Sequence, residues 1–201
     1  MDDLTNLSPD ISPDAFFALV AKTLANEAAP DNARPEKAQI TLRGDGGGTW
    51  VSGFEDGRLV IAAGSADTPP VHLTLTVDHW RAFVAGAVRD AVKEHADVTA
   101  INPKALNKLY QSADKIDQVM GLKGTLQAVV TDGDTHYTAH ITTGGIPVDL
   151  DNPTAKISVA LADFVQLASG QENPQMAFFA GKIQVEGDMN HVMGLMALSL
   201  S

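Results

Sequence analysis

The feature that most constrains the fold is a series of short strand-like runs, each bounded by turn residues. Within residues 71–77, for example, apolar and polar side chains alternate, which is the period of a strand with one buried face. The connecting sequences GDGGG, EDG, TDGD and TTGG are typical of turns. The pattern predicts nine strands, at residues 39–43, 49–54, 58–62, 71–77, 125–131, 135–141, 146–150, 155–160 and 182–186.

Helical segments lie between these strands, and capping residues mark where they begin. Proline at the first helical position, preceded by a polar side chain that caps the helix, is a typical start. Helices are predicted to begin at Ser12-Pro13, Asp78, Asn102-Pro103 and Asn173-Pro174. The helix that Asp78 begins is expected to continue to Ala91, and Gly181 fits the left-handed residue that closes the last of the four.

The order of elements occurs twice along the chain: a helix, about four strands and a helix. Residues 70–86 can be aligned with residues 154–170 so that apolar positions coincide. Among the matched apolar and glycine positions, one glycine is the only identical residue. A repeated order of this kind indicates an internal repeat. We therefore expect two halves, at residues 10–97 and 98–201, arranged as a tandem or a pseudo-dimer.

The composition is that of an ordinary globular protein, with 44% hydrophobic and 19% charged residues. Because the chain has no cysteine, disulfides, thiolate zinc sites and cysteine nucleophiles are excluded. The formal net charge of −11 opposes binding to nucleic acid, which needs a positively charged surface. The same charge opposes tight adsorption to anionic lipid surfaces.

The sequence lacks the usual signals for a membrane protein or a secreted one. It has no run of about eighteen apolar residues, so no helix is expected to span a bilayer. Its first residues, MDDLTNLSPD, lack the basic start and apolar run of a signal peptide. We therefore expect a soluble, intracellular, cytoplasmic protein without stable membrane insertion.

The C-terminal segment is rich in methionine and other apolar residues. Four of the six methionines lie at or after Met176, close to Phe178 and Phe179. Methionine is unbranched and polarizable, so it adapts to apolar partners of variable shape. The last segment, from Met189 onward, is apolar nearly all round, and such a helix is either buried on every side or covers something apolar. Residue types alone fit both a filled core and a pocket for flexible hydrocarbon.

The order of motifs at this end of the chain is more specific than the composition. A helix ending in glycine is followed by Asn-Pro, Ala-Phe-Phe, Gly-Lys and Gly-Asp-Met. The residues in this order are Gly170, Asn173, Pro174, Gln175, Ala177, Phe178, Phe179, Gly181, Lys182, Gly187, Asp188 and Met189. They resemble the closing segment of the sterol carrier protein 2 family, most strongly over residues 154–196 and more loosely back to residue 103. Residues 1–97 resemble the family only through the internal repeat and lack this block.

The resemblance implies an α/β (α+β) fold, with a mixed, mostly antiparallel five-stranded sheet covered by helices on one face. It also implies an apolar cavity in which sterol, fatty acid or another long-chain lipid is bound or transferred without catalysis, metal or cofactor. Residues 98–201 would form this lipid-binding domain, and residues 10–97 a degenerate half of the same kind. The predicted cavity residues are Phe164, Leu167, Met176, Phe178, Phe179, Met189, Val192, Met193 and Met196.

Two other functions are alternatives. The same fold could serve as an accessory interaction or dimerisation module without ligand, in which case the apolar C-terminal segment would join two copies in a homodimer. An enzyme acting on a lipid is the other alternative, but the sequence has no Gly-x-Ser-x-Gly motif and assembles no nucleophile, base and oxyanion site. We therefore expect no catalytic activity.

Other patterns that can carry chemistry have simpler interpretations. His136 and His140 share one face of a predicted strand, but no third ligand with clear spacing accompanies them, so a metal site is not predicted. Asp149 and Asp151 are expected to satisfy backbone groups in a turn. The GDGGG stretch has no Gly-Lys-Ser/Thr after it, so it is not read as a phosphate-binding loop.

Overall fold

The structure is a computed structural model that describes Leu4 and residues 7–24, 34–95 and 113–200. The helix predicted to begin at Asn102-Pro103 starts outside the described residues. The strands of the described part are β1 (Ala38–Arg43), β2 (Gly48–Glu55), β3 (Arg58–Ala63), β4 (Val71–Thr76), β5 (Gly124–Asp132), β6 (Thr135–Thr143), β7 (Ala155–Ala160) and β8 (Ile183–Gly187). The helices are α1 (Pro13–Leu24), α2 (Val77–Ala85), α3 (Ala87–Lys93), α4 (Ala113–Gly121), α5 (Leu161–Ala168), α6 (Pro174–Phe179) and α7 (Met189–Leu200).

All eight described strands belong to one sheet, in the order β3-β2-β1-β4-β6-β5-β7-β8. Five of the seven pairings between these strands are antiparallel, and two are parallel: β1 with β4, and β5 with β7. The predicted fold class, a mixed and mostly antiparallel sheet with helices, is therefore confirmed. The sheet has eight strands rather than five because β4 pairs with β6, which joins the two halves.

The two faces of the sheet differ because apolar and polar residues alternate along the strands. The cross-strand pair Ile40 and Leu73 packs against the helices. The adjacent pair Gln39 and His72 therefore points to the other face. Helices α1, α2, α5 and α7 contact the sheet, and their apolar side chains join those of the strands in the core.

The strand order also repeats. In each half a hairpin strand pairs in parallel with a later strand that leads into a helix: β2-β1-β4 followed by α2, and β6-β5-β7 followed by α5. β4 begins at Val71 and β7 at Ala155, and α2 begins at Val77 and α5 at Leu161. The strand and the helix of the second half therefore each begin 84 residues after their counterparts in the first half. The sequence alignment of residues 70–86 with residues 154–170 uses the same offset of 84 residues. The division into domains at residues 97 and 98 stays a prediction, since that boundary lies outside the described residues.

The predicted helix from Asp78 to Ala91 is wrong in two respects. The capping residue lies two positions earlier than Asp78: it is Thr76, whose hydroxyl oxygen accepts a hydrogen bond from the His79 N–H at 3.1 Å. It also breaks at Gly86, where the backbone is extended between α2 and α3. A side chain at Gly86 would come within 3.1 Å of the Ala82 backbone.

The predicted strand at 146–150 is also wrong, because residues 144–154 form a loop. Gly144 and Gly145 both have positive φ, of 82° and 63°, which ends the extended backbone of β6. Pro147 then removes a backbone donor that a strand pairing would need. The other eight predicted strands are confirmed within one or two residues at each end.

The cores of the two halves differ in size. In the N-terminal half, Phe17 stacks on Trp50 with ring centroids 4.3 Å apart, and Phe16 meets Trp80 edge to face at 5.3 Å. Both tryptophans are buried there. The C-terminal cluster contains three fully buried residues in the described part: Leu126, Ala155 and Val192.

Candidate apolar ligand site

Helix α6 begins at a side-chain cap, and a glycine turn lies on each side of it. The Asn173 side-chain oxygen accepts hydrogen bonds from the backbone N–H groups of Gln175 and Met176, at 2.8 and 3.4 Å. Pro174 occupies the first helical position, as the sequence predicts. Gly170 and Gly181 have φ of 71° and 74°, so each takes the left-handed conformation that ends a helix.

Lys182 anchors the end of this segment to the preceding helix. Its ammonium group lies 2.6 Å from a Glu172 carboxylate oxygen and 3.2 Å from one of Asp163. The hydrogen bond to Glu172 raises the pKa of Lys182. This lysine therefore links the start of β8 to α5.

Helix α7 begins at the Gly187-Asp188 pair. The Asp188 carboxylate accepts hydrogen bonds from the Asn190 and His191 N–H groups, at 2.8 and 3.3 Å, so Asp188 caps this helix. Gly187 has φ of 86°, and a side chain there would lie 2.6 Å from the Thr154 carbonyl oxygen. Glycine is therefore required where β8 passes β7 and turns into the helix.

These two helices expose apolar side chains to solvent. The exposed large hydrophobic residues of the described chain are Met176 (64%), Phe179 (78%), Met189 (40%) and Met193 (39%). All of them lie on α6 and α7. A cavity of about 130 Å³ lies between the helices, with Gln175, Phe178, Phe179, Met193 and Met196 in its lining. Large apolar side chains exposed on neighbouring helices make this surface a candidate ligand or partner site.

Four of the nine predicted cavity residues come together at this space, namely Phe178, Phe179, Met193 and Met196. Met176 and Met189 lie exposed on the same helices. The other three lie elsewhere. Val192 is buried against Leu126 and Ala155 in the C-terminal core cluster, the Phe164 ring meets Phe83 at 6.0 Å, and Leu167 is half-buried on α5. The role of the nine in ligand binding stays a prediction.

A larger cavity, which the sequence did not indicate, lies in the N-terminal half. Its volume is about 310 Å³, and α1, α2, β1, β3, β4 and β6 contribute its lining. The side chains that line it are Phe16, Phe17, Val20, Ile40, Ile61, Leu73, Leu75, Trp80, Phe83, Val84 and Ala139. Their apolar spacing on α1 predicts a core stripe equally well, so the sequence carries no signal that separates a filled core from a hollow one.

Buried polar groups near these cavities are few, and one stands out. His191 is 3% exposed, and its Nε2 atom has no hydrogen-bond partner among the described residues. Burial lowers the pKa of His191, although the nearby Asp188 carboxylate opposes that shift. The neutral imidazole packs against Gly124, where a side chain would lie 2.8 Å from the ring.

The polar face of the sheet carries two histidines, each within hydrogen-bond distance of polar side chains on neighbouring strands. His72 Nε2 lies 2.8 Å from the Thr41 hydroxyl and 3.1 Å from the Gln39 amide, and His140 Nε2 lies 3.2 Å from the Gln127 amide. Burial lowers the pKa of both His72 and His140. Across the described residues, no three histidine, aspartate or glutamate side chains are grouped to hold a metal ion.

The loop and membrane predictions can also be checked. Asp149 accepts hydrogen bonds from the backbone N–H groups of Asp151 and Asn152, at 3.2 and 2.8 Å, which confirms its role in the turn. Among the described helices, none has the length and apolar character needed to cross a bilayer.

Comparisons with known proteins confirm the resemblance over the C-terminal half. Residues 104–199 match the model of the SCP-2 sterol transfer family. Similar solved structures include the apo form of sterol carrier protein 2 from Yarrowia lipolytica, with 14% identity over 58% of this chain and 90% of the other, at a TM-score of 0.36. The sterol carrier protein domain 2 of Helicoverpa armigera has 24% identity over 50% of this chain and 91% of the other, at a TM-score of 0.33. Palmitated SCP2L2 from Aedes aegypti has 18% identity over 39% of this chain and 74% of the other, at a TM-score of 0.36. No curated protein sequence matches the chain.

Proposed function

From the match of residues 104–199 to the SCP-2 sterol transfer family, we propose that this protein is a non-enzymatic carrier of lipid. The ligand is a sterol, a fatty acid or another long-chain apolar molecule, and it binds at the surface that α6 and α7 share. The observation that carries the proposal is the concentration of exposed large apolar side chains on these two helices, around a small cavity.

The size of the cavity indicates how a ligand would sit. A dry apolar cavity of about 150 Å³ holds one benzene-sized molecule, so the 130 Å³ between α6 and α7 has room for the end of a chain only. The rest of the ligand would lie along Met176, Phe179 and Met193, unless the helices separate to admit it. Each methylene taken out of water contributes about 0.8 kcal/mol. About a dozen methylenes would therefore contribute about 10 kcal/mol. An association cost of about 4 kcal/mol leaves about 6 kcal/mol, which corresponds to a dissociation constant in the tens of micromolar.

The lining gives no support to a catalytic role. Gln175 is the one polar residue in the described lining, and its amide can hydrogen-bond a hydroxyl or carboxylate head group but cannot act as a general acid or base. A flexible methionine and phenylalanine lining with one polar contact favours shape-tolerant binding. This is the property that a carrier needs.

A titration of purified protein with a fluorescent fatty acid tests the proposal. We expect saturable binding that Phe179→Asp and Met193→Asp each weaken at least tenfold, because an unpaired charge in apolar surroundings is costly. Gln184→Asp is the matched control, since it adds the same charge on the exposed part of β8. Equal binding by all three variants would contradict the proposed site.

The same exposed surface also suits the alternative, a dimer interface without ligand. Stable interfaces bury about 800 Å² on each partner, and four clustered apolar side chains could form the centre of one. Light scattering separates the two functions. A monomer that binds fatty acid favours the carrier, whereas a dimer that Phe179→Asp dissociates and that binds no fatty acid favours the interaction module.

A further inference from the structure

We propose that the N-terminal half contains a second, independent binding site for an uncharged apolar molecule of about six to twelve carbon atoms. The site is the 310 Å³ cavity between α1, α2 and the apolar face of the sheet. It shares no lining residue with the space between α6 and α7. Ala139 is its one described lining residue within the segment that matches the family. The inference therefore goes beyond the proposed function and does not rest on it.

The walls of the cavity form a rigid aromatic frame. Phe16 meets Phe17 edge to face at 5.2 Å and Trp80 at 5.3 Å, and Phe17 stacks on Trp50. Trp80 is 4% exposed and lines the space directly. Rings held in this way cannot collapse into the space without losing these contacts. Apolar side chains that face an unfilled space lack packing partners on that side, so a ligand of matching shape gains contacts there.

The cavity is reachable, because part of its lining is only half-buried. Ile40, Leu73, Phe83 and Ala139 retain contact with solvent although they lie on the apolar face or on the helix above it. These residues come from β1, β4, β6 and α2.

The lining fixes the chemical class of the ligand. Every side chain that lines the space in the described residues is apolar, so a charged group inside would have no partner. A carboxylate or phosphate must therefore stay outside, and the molecule inside is hydrocarbon-like. The volume is about twice that of an engineered dry cavity that binds benzene, which corresponds to a short alkyl chain or a compact ring system.

The two tryptophans of the chain make this site directly observable. Trp80 lines the cavity, and Trp50 stacks on the lining residue Phe17. Bromohexane is uncharged, and its bromine quenches tryptophan fluorescence on contact. We expect full-length Trp50→Phe protein, in which Trp80 is the sole reporter, to show saturable quenching by bromohexane that unbrominated hexane reverses.

Filling the cavity should abolish this signal. Ala139→Phe and, as a smaller change, Ala139→Leu are expected to weaken bromohexane binding at least tenfold, with circular dichroism used to verify folding. Ala62→Phe is the matched control, because Ala62 is exposed on β3 and, next to the lining residue Ile61, points to the other face of the sheet. If Ala139→Phe does not fold, the binding of bromohexane by Ala139→Leu tests the proposed site.

The site is distinguished from the proposed lipid site by Phe179→Asp, which should leave the bromohexane quenching unchanged. Three results would overturn the inference: no saturable quenching of Trp80, quenching that survives in the folded Ala139 variants, or quenching that Phe179→Asp removes. A protein that binds fatty acid but not bromohexane would keep the proposed function and lose this second site.

Discussion

The two halves of the molecule use the same strand order but place their apolar residues differently. The N-terminal half surrounds an internal space with buried aromatic rings, whereas the C-terminal half carries its large apolar side chains on the outside of α6 and α7. Positions related by the shift of 84 residues show the difference. Trp80 is buried in the core, while its counterpart Phe164 is half-buried at the junction with Phe83. A shared topology therefore does not determine on which side of the helices apolar surface is found.

The largest expected effect comes from truncating the two related aromatic residues. Trp80→Ala should destabilise the protein by about 3–5 kcal/mol, because it removes a buried ring that contacts Phe16 and Phe17. Phe164→Ala should cost clearly less, since that ring is already half-exposed. Urea denaturation of both variants measures the difference. Equal losses of stability would show that the two positions are packed alike.

The next effect concerns the helix caps at related positions. Thr76 caps α2 through its hydroxyl, whereas Ala160, 84 residues later, occupies the cap position of α5 without a side-chain hydrogen bond. Thr76→Ala should therefore destabilise the protein by about 1 kcal/mol, and Ala160→Thr should stabilise it by up to about 1 kcal/mol. Thermal denaturation gives both values. If Ala160→Thr has no effect or is destabilising, the two starts differ in geometry as well as in sequence.

The smallest effect is a dependence of stability on pH. Burial lowers the pKa of His191, so between the ordinary value of about 6.5 and the folded value the unfolded chain binds a proton that the folded chain does not. The free energy of unfolding therefore falls as the pH falls through this range. His72 and His140, whose pKa values burial also lowers, contribute in the same direction.

The contribution of His191 can be isolated with two matched variants. Urea denaturation at about pH 5.5 and 7.5 should show a smaller loss of stability for His191→Gln than for the wild type. His136→Gln is the control, because His136 is exposed on β6. A pH dependence that His191→Gln leaves unchanged would assign the effect to other groups.

Local features of the fold could be predicted because they depend on neighbouring residues. The caps at Ser12 and Asn173 are present, with the Ser12 hydroxyl 3.2 Å from the Ala15 N–H, and the repeat spacing of 84 residues agrees in strand and helix. The turns and the helix start of the C-terminal closing motif could also be predicted from the sequence, because glycines at tight turns and an aspartate cap have strict local requirements.

Features that depend on distant contacts could not be predicted. The pairing of β4 with β6 merges the halves into one sheet, and no local pattern specifies which strands become neighbours. The helix breaks at Gly86, where the backbone is extended, while the apolar spacing of the sequence continues across the break. The N-terminal cavity was missed for the same reason, because an apolar stripe predicts burial but not how closely the opposite wall approaches.

Native mass spectrometry of the protein incubated with palmitate would show whether lipid binds at α6 and α7. We expect one palmitate per chain in the wild type and in Gln184→Asp, and none in the double variant Phe179→Asp/Met193→Asp. A spectrum with no adduct in the wild type, or with the same adduct in the double variant, would contradict lipid binding at α6 and α7.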